Sequence, residues 1–317
     1  MTWTIRRADP HDEADLRAIV SIIAASAPEW PTSLDEMRWS DATYPGTVRL
    51  IAEMDGRPVG AATVGRIYVY PPDYDGLWGT VDVLPRARRR GIGSALLRAI
   101  AAVADSGGKG SLHVPATDAR PDGIAFLERR GFAEIDRHRV LRLDLVGLEP
   151  PGITLPDGIV LSSLAARPDL VEGVHRVALE SFRDIPGSQP MAAGDLAEFR
   201  ARDVDRPGIP ADAFVVAIEE ASGVVIGYAS LVFLPGSRCE AVHDMTVVRA
   251  TWRGRGVATA MKQATIGWAI GHGLTALETG NDEANLAMRA LNGTLGYQPL
   301  PDEVTMRGSV AKAMMER

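Results

Sequence analysis

Two short runs of arginine and glycine stand out for their residue types and spacing. Arg88-Arg89-Arg90-Gly91-Ile92-Gly93 follows the strand-like run 80–85, and Arg253-Gly254-Arg255-Gly256-Val257-Ala258 follows the run 244–248. Each leads into a helical pattern, at 94–105 and 259–270. A strand that enters a helix through a glycine turn leaves free N–H groups at the helix start, where the helix dipole also favours negative charge. Gly91 and Gly256 let a diphosphate approach the backbone, Gly93 and Ala258 let the helix start pack closely, and the arginines add positive charge. Other phosphate loops fit poorly. The G-x-x-x-x-G-K-[ST] pattern is absent. Leu96 stands where a dinucleotide fingerprint needs Gly or Ala, and no βαβ unit follows the first strand.

The elements that must position these turns recur in one order. A strand-like run at 4–9 precedes a helical pattern at 13–23, and a run at 158–164 precedes one at 170–179. A hairpin-like pair of β-branched runs follows in each half, 48–53 with 58–64 and 214–218 with 224–229. After the arginine–glycine turn and its helix, each half closes with a short strand, a helix and a Gly-aromatic pair, Gly131-Phe132 and Gly296-Tyr297. Gly91 and Gly256 are 165 residues apart, and so are Gly131 and Gly296. Positions in the halves therefore compare one to one, which is the mark of a duplication. The Pro- and Gly-containing stretch around Pro150-Pro151 reads as the joint. The expected division is an N-terminal domain at 1–148, a linker at 149–158 and a C-terminal domain at 159–317.

Composition narrows the class. With 46% hydrophobic and 24% charged residues, the chain is an ordinary globular protein, not a disordered, coiled-coil or collagen-like one. No apolar run approaches the roughly 18–20 residues that span a bilayer, so no membrane partner is expected. The N-terminus runs into Asp9 and His11 without an apolar leader, so a cytoplasmic location is expected. Lys and Arg total 34 against 41 Asp and Glu, which argues against a nucleic-acid partner. Cys239 is the single cysteine, so neither an intrachain disulfide nor a cysteine-based zinc cage is expected.

The element order, with Val83 to Gly93, Gly131-Phe132, Thr246 to Ala258, Asn281, Asn285 and Gly296-Tyr297, resembles the GCN5-related N-acetyltransferase (GNAT) family, twice over nearly the whole chain. The resemblance implies an α/β fold of two tandem domains, each a mixed, mostly antiparallel sheet flanked by helices. It implies acetyl-CoA as cosubstrate and no metal. The implied contacts in the first copy are Val83, Arg88, Arg89, Arg90, Gly91, Ile92, Gly93 and Ser94. In the second they are Val248, Arg253, Gly254, Arg255, Gly256, Val257, Ala258 and Thr259, with Asn281 and Asn285 on the pantetheine arm or substrate. The expected reaction is direct attack of a small-molecule amine on the thioester in a ternary complex, by a monomer or homodimer.

In this family a residue on the fourth strand often orders a water or acts as base. Side chains alternate along a strand. One face of the second copy reads Thr246, Asp244, Val242, Glu240, while the matching face of the first reads Val81, Gly79, Leu77. Asp244, Glu240 and Thr246 are therefore the expected catalytic residues, and the first copy is expected to be a degenerate partner that keeps its cofactor site. His243, on the other face, is expected to be packed. The tyrosine that often serves as the family's acid is replaced by Leu127 and Asn292, which leaves the proton donor unassigned. Acceptor selection is expected from 30–39 and 182–198, including Trp30, Trp39 and Phe182. Two other readings stand beside this one: acetylation of a thiol-sugar amine, and a non-catalytic acyl-CoA sensor.

Overall fold

The computed structural model of the chain describes residues 2–315. In chain order the elements are β1 (Trp3–Arg7), α1 (Glu13–Ser26), α2 (Leu34–Thr43), β2 (Val48–Met54), β3 (Arg57–Arg66), β4 (Gly76–Val83), α3 (Ile92–Ser106), β5 (Ser111–Thr117), α4 (Pro121–Glu128) and β6 (Ala133–Asp144). Then come β7 (Ile159–Ser163), α5 (Val171–Ser181), α6 (Leu196–Phe199), β8 (Val215–Glu219), β9 (Val225–Phe233), β10 (Glu240–Val248), α7 (Val257–Gly271), β11 (Ala276–Asp282), α8 (Leu286–Thr294), β12 (Gln298–Pro299), β13 (Glu303–Ser309) and α9 (Val310–Met315). No helix among the described residues is long and apolar enough to cross a membrane.

Local chemistry explains many of the boundaries. The Asp12 and Ser33 side chains accept from the backbone N–H groups of Ala14 and Glu36, capping α1 and α2. Between β2 and β3, Asp55 and Gly56 both take positive φ (51° and 73°), as a two-residue hairpin turn requires. Leu16, Ile19 and Ile22 recur at helical spacing and are buried on α1.

The chain divides into two compact units, Met1–Arg137 with Pro301–Arg317, and His138–Leu300. In the first, the sheet order is β1-β2-β3-β4-β5-β13, antiparallel except for the parallel pair β4 and β5. Helices α1 and α3 cover opposite faces: Asp82 of β4 reaches Ser26 of α1, while a side chain at Gly79 would meet Ile100 of α3. Val304, Met306, Val310 and Ala313, from β13 and α9, complete the core around Ile51, Leu97 and Leu112. In the second unit, the order is β7-β8-β9-β10-β11-β6, with β10 and β11 parallel and β12 also on β6.

These units differ from the expected division at 148 and 159, which follows the repeat along the sequence. The parallel strand of each sheet, β5 or β11, has an antiparallel neighbour on its other side. For β5 this is β13, from the far end of the chain; for β11 it is residues 138–144 of β6, from the end of the first half. The two halves of the sequence have in effect exchanged their last strands.

Candidate active-site clefts

In each unit two parallel strands pair briefly and then part. β4 pairs with β5 only over Gly76–Trp78, and β10 pairs with β11 only over Glu240–His243. Beyond these points the facing edges of β4 and β10 have no ladder partner, and their polar groups can serve an extended amide chain laid along them.

The arginine–glycine turns sit at the mouths of these clefts. Gly91 and Gly256 occupy the N-cap positions of α3 and α7 in the left-handed region (φ 82° and 87°), with no side chain capping the first N–H groups. A side chain in place of either glycine would be strained. Two residues earlier the backbone is again left-handed, at Arg89 (φ 62°) and Gly254 (φ 73°). Arg88 and Arg253 do the same work in both units: each donates Nε–H to the last carbonyl of the preceding strand, Val83 O at 3.1 Å and Val248 O at 3.0 Å. They fix where the strand ends and the turn begins. Arg90 and Arg255 turn aside; Arg90 lies 3.8 Å from Met54 Sδ, and Arg255 stacks 4.8 Å from the Trp252 ring centroid.

The second unit has a cavity of about 660 Å³ at its turn, lined by expected residues Thr246, Val248, Arg253, Gly254, Gly256, Val257, Ala258, Thr259 and Asn285. The first has one of about 390 Å³ lined by Val83, Arg88, Arg89, Gly91, Gly93 and Ser94. A further cavity of about 240 Å³ lies between its parted strands. Asp82, Arg120 and Phe126 line both. Four expected contacts behave otherwise. Arg90 is absent from the lining of the first unit's cavity. Ile92 is buried in the core of the first unit. Arg255 is absent from the lining. Asn281 accepts a 2.5 Å hydrogen bond from Asn292 Nδ2 and does not line the cavity. Asn285 does two things at once, capping α8 by accepting from Met288 N at 3.2 Å and lining the cavity.

The expected catalytic face does not survive as a face. On β10, His243 pairs with Leu231 and Met245 with the adjacent Ser230, which makes Asp244 the extra residue of a β-bulge. A bulge interrupts alternation, and the packing shows it. Met245 and Val247 pack with Val174 and Phe182 on the α5 side, while Val248 packs with Val257 and Met261 on the α7 side. Thr246 shares the face of Val248. Asp244 instead interacts with Asp203, Arg202, Arg206 and the buried Tyr228. Asp244 is exposed and does not line the cavity at the turn. Desolvation by the surrounding protein raises its pKa against the opposing pull of Arg206 and Arg202. Glu240 is elsewhere: its carboxylate pairs with Arg142 at 2.6 Å, and the same guanidinium holds Glu278 at 3.0 Å.

The face of the first copy that carries Val81, Gly79 and Leu77 has no titratable group, but the opposite face of the same strand carries Asp82. Asp82 sits where Val247 sits in the second unit, on the face toward the first helix. It is 9% exposed, and desolvation raises its pKa to about 6. The sign in the sequence is a carboxylate inside the apolar run Val81-Asp82-Val83, immediately before the turn. His243 is packed, as its position on the opposite face suggests. Its ring nitrogens meet Tyr297 Oη at 2.5 Å and Thr265 Oγ1, and burial lowers its pKa well below the ordinary value. Tyr297 is thereby committed to the core and is not a cavity group. Phe182 is core as well, Trp39 meets Tyr44 edge-on, and Trp30 lines the smaller cavity of the first unit.

The profile of the acetyltransferase (GNAT) family matches residues 16–132 and 176–297. The chain belongs to the GNAT family. A mycothiol acetyltransferase of Nocardia farcinica is 30% identical over 200 residues, which is 63% of this chain and 62% of that protein. One from Thermomonospora curvata is 32% identical over 157 residues, 50% of this chain and 49% of that protein. The chain thus spans only about half to three-fifths of the length of these relatives. Among solved structures, a tandem GNAT protein from the clavulanic acid biosynthesis pathway superposes with a TM-score of 0.80 at 23% identity, covering 98% of this chain and 99% of that one. A GCN5-related N-acetyltransferase from Sphaerobacter thermophilus gives 0.74 at 19% identity, covering 97% and 96%. At such identities the likeness is one of fold. The parted strands and paired glycine turns are thus two GNAT folds in tandem, and GNAT acetyltransferases use acetyl-CoA as cosubstrate.

Proposed function

We propose that this chain transfers the acetyl group of acetyl-CoA to the amine of a small molecule, by direct attack in a ternary complex, in the cleft of the second unit. The observation that carries the reading is the placement of Asp244. It stands on a bulge where β10 and β11 part, on the strand that runs into an uncapped helix start. The residues fit the cosubstrate. A diphosphate suits the α7 N-terminus at Gly256, close to Arg253 and Thr259. A pantetheine arm suits the open edge of β10 and Asn285. Acetyl-CoA supplies an activated thioester. Asp244, whose pKa desolvation raises, takes the proton that an ammonium must lose before it attacks. No side chain in the cavity matches the family's usual acid, so water protonates the departing thiolate in this scheme.

The amine of a thiol-sugar is the second reading. It is favoured by the mycothiol acetyltransferases among the relatives. The test is release of free CoA, read with a thiol reagent, from acetyl-CoA and a panel of amines. Asp244→Asn is expected to lower turnover of the second unit's amines by roughly 10²–10⁴-fold while acetyl-CoA still binds. Unchanged turnover of every panel amine, or a wild-type chain that binds acetyl-CoA and acetylates none of them, defeats the reading.

A further inference from the structure

The first unit also has a cleft beside its glycine turn, with a carboxyl group in the lining. The cavity at the glycine turn and the cavity between the parted strands share Asp82, Arg120 and Phe126. Asp82 therefore stands at their junction. Asp82 Oδ1 accepts a hydrogen bond from Ser26 Oγ at 3.2 Å, which orients the carboxyl from the α1 side. Arg120 is held away from it: Nε donates to Glu29 at 2.5 Å, Nη1 donates to Ser26 O at 2.6 Å, and the guanidinium lies 5.3 Å from the Trp30 ring centroid. The carboxyl is left to act toward the cavity rather than locked in an ion pair.

Each unit has a carboxylate on this strand: Asp244 is the extra residue at the bulge of β10, and Asp82 lies on the unbulged β4 and faces α1. The inner cavity of the first unit, about 240 Å³, is lined mainly by apolar groups such as Ile23, Ala27, Trp30 and Leu127. The glycine-turn cavity of the second unit also has a largely apolar lining, with Thr246, Asn285 and Asp184 in it, and Asp244 lies outside that lining.

We propose that the first unit is a second acyl-transfer centre, in which Asp82 serves as proton acceptor and the apolar inner cavity takes a primary amine on an apolar or aromatic body. This rests on the acetyl-transfer reading above but assigns a different acceptor class to a different cleft. The ammonium gives one proton to Asp82. Its nitrogen then bonds to the thioester carbon and the C–S bond breaks. The remaining excess N–H proton passes to the departing thiolate, and Asp82 returns its proton to water. Burial supports the role: a carboxyl with a pKa of about 6 is a better base near neutrality than an ordinary one.

The test uses the full chain with Asp82→Asn, Asp244→Asn and both together. Phenethylamine and tryptamine serve as apolar amines, and glucosamine as a polar one. The expected result is that acetylation of the apolar amines survives Asp244→Asn and falls at least 100-fold in Asp82→Asn. Its pH–rate profile in the Asp244→Asn chain should rise through about pH 6. Asparagine is nearly isosteric, and retained acetyl-CoA binding by Asp82→Asn separates loss of the base from loss of the fold. If every amine loses turnover with Asp244→Asn and none with Asp82→Asn, the inference is overturned while the acetyl-transfer reading stands. If turnover follows Asp82 alone, the inference stands and the assignment of chemistry to the second unit falls. If no amine is acetylated by the wild-type chain, both fail.

Discussion

Replacing Lys262 by methionine probes a charge that the second unit buries with little compensation. Lys262 lies on α7, 1% exposed, and burial lowers its pKa from 10.5 to about 7. Its ammonium lies 5.5 Å from the Tyr297 ring centroid, beside a His243 that the same burial holds neutral. In the unfolded chain the lysine stays protonated to about pH 10.5. The unfolded state therefore binds more protons wherever the folded lysine has lost its own. Wild-type stability rises with pH between about 7 and 10.5 and is flat at its lower level below that window. At roughly 1.36 kcal/mol per pKa unit, the cost at pH 7 is about 4 kcal/mol. The aromatic face of Tyr297 returns up to ~2 kcal/mol of it. Methionine has nearly the same length and no charge, so Lys262→Met is expected to stabilise the second unit by about 2–4 kcal/mol at pH 7. The gain should shrink toward zero by about pH 10.5. The assay is urea unfolding of the full chain at several pH values, with hydrogen exchange of α7 amides to report the second unit. A variant that is less stable at pH 7, or one whose gain does not change with pH, refutes the reasoning.

Two further outcomes follow from the backbone and the sheets. Gly256→Val is expected to abolish one of the acetyl-CoA sites seen by calorimetry, and Gly91→Val the other, because a β-branched residue at φ 87° or 82° distorts the helix start that faces the diphosphate. Loss of both sites from either single variant contradicts independent clefts. A chain ending at Leu148 lacks β13 and α9, so β5 loses its antiparallel neighbour and the core loses Val304, Met306 and Val310. It is expected to show little protection in hydrogen exchange, and a cooperatively folded 1–148 fragment would show that the exchanged strand is dispensable.

The helices, hairpins and glycine turns were legible because their signals are local. Helical spacing places Leu16, Ile19 and Ile22 on one face whatever lies opposite. Gly91 and Gly256 sit in left-handed turns, as residues without a Cβ favour. The catalytic face was not legible in the same way. Strict alternation grouped Asp244 with Thr246 and Glu240, and one unpaired residue at the bulge is enough to separate them. Asp82 lies one position from Val81, on the opposite strand face, so alternation alone does not mark it as a cleft residue. Lys262 looks like an ordinary helix residue in sequence, and only the packing of α7 on β10 turns it into a buried amine.

The duplication with its constant offset of 165 residues, the two arginine–glycine turns and the GNAT order of elements can all be read from the sequence alone. Those are properties of short segments, set by φ/ψ preference and hydrophobic period. It took the tertiary structure to settle which strand closes which sheet, where the ladder of β10 slips by one residue, and that Asp82 ends in a cleft while Glu240 ends on Arg142. Each depends on pairing between segments far apart in the chain, where the winning partner is the one that satisfies a sheet edge or fills a core. β13 does that for β5, and the end of β6 does it for β11. Neither pairing leaves a mark in the local run of residues.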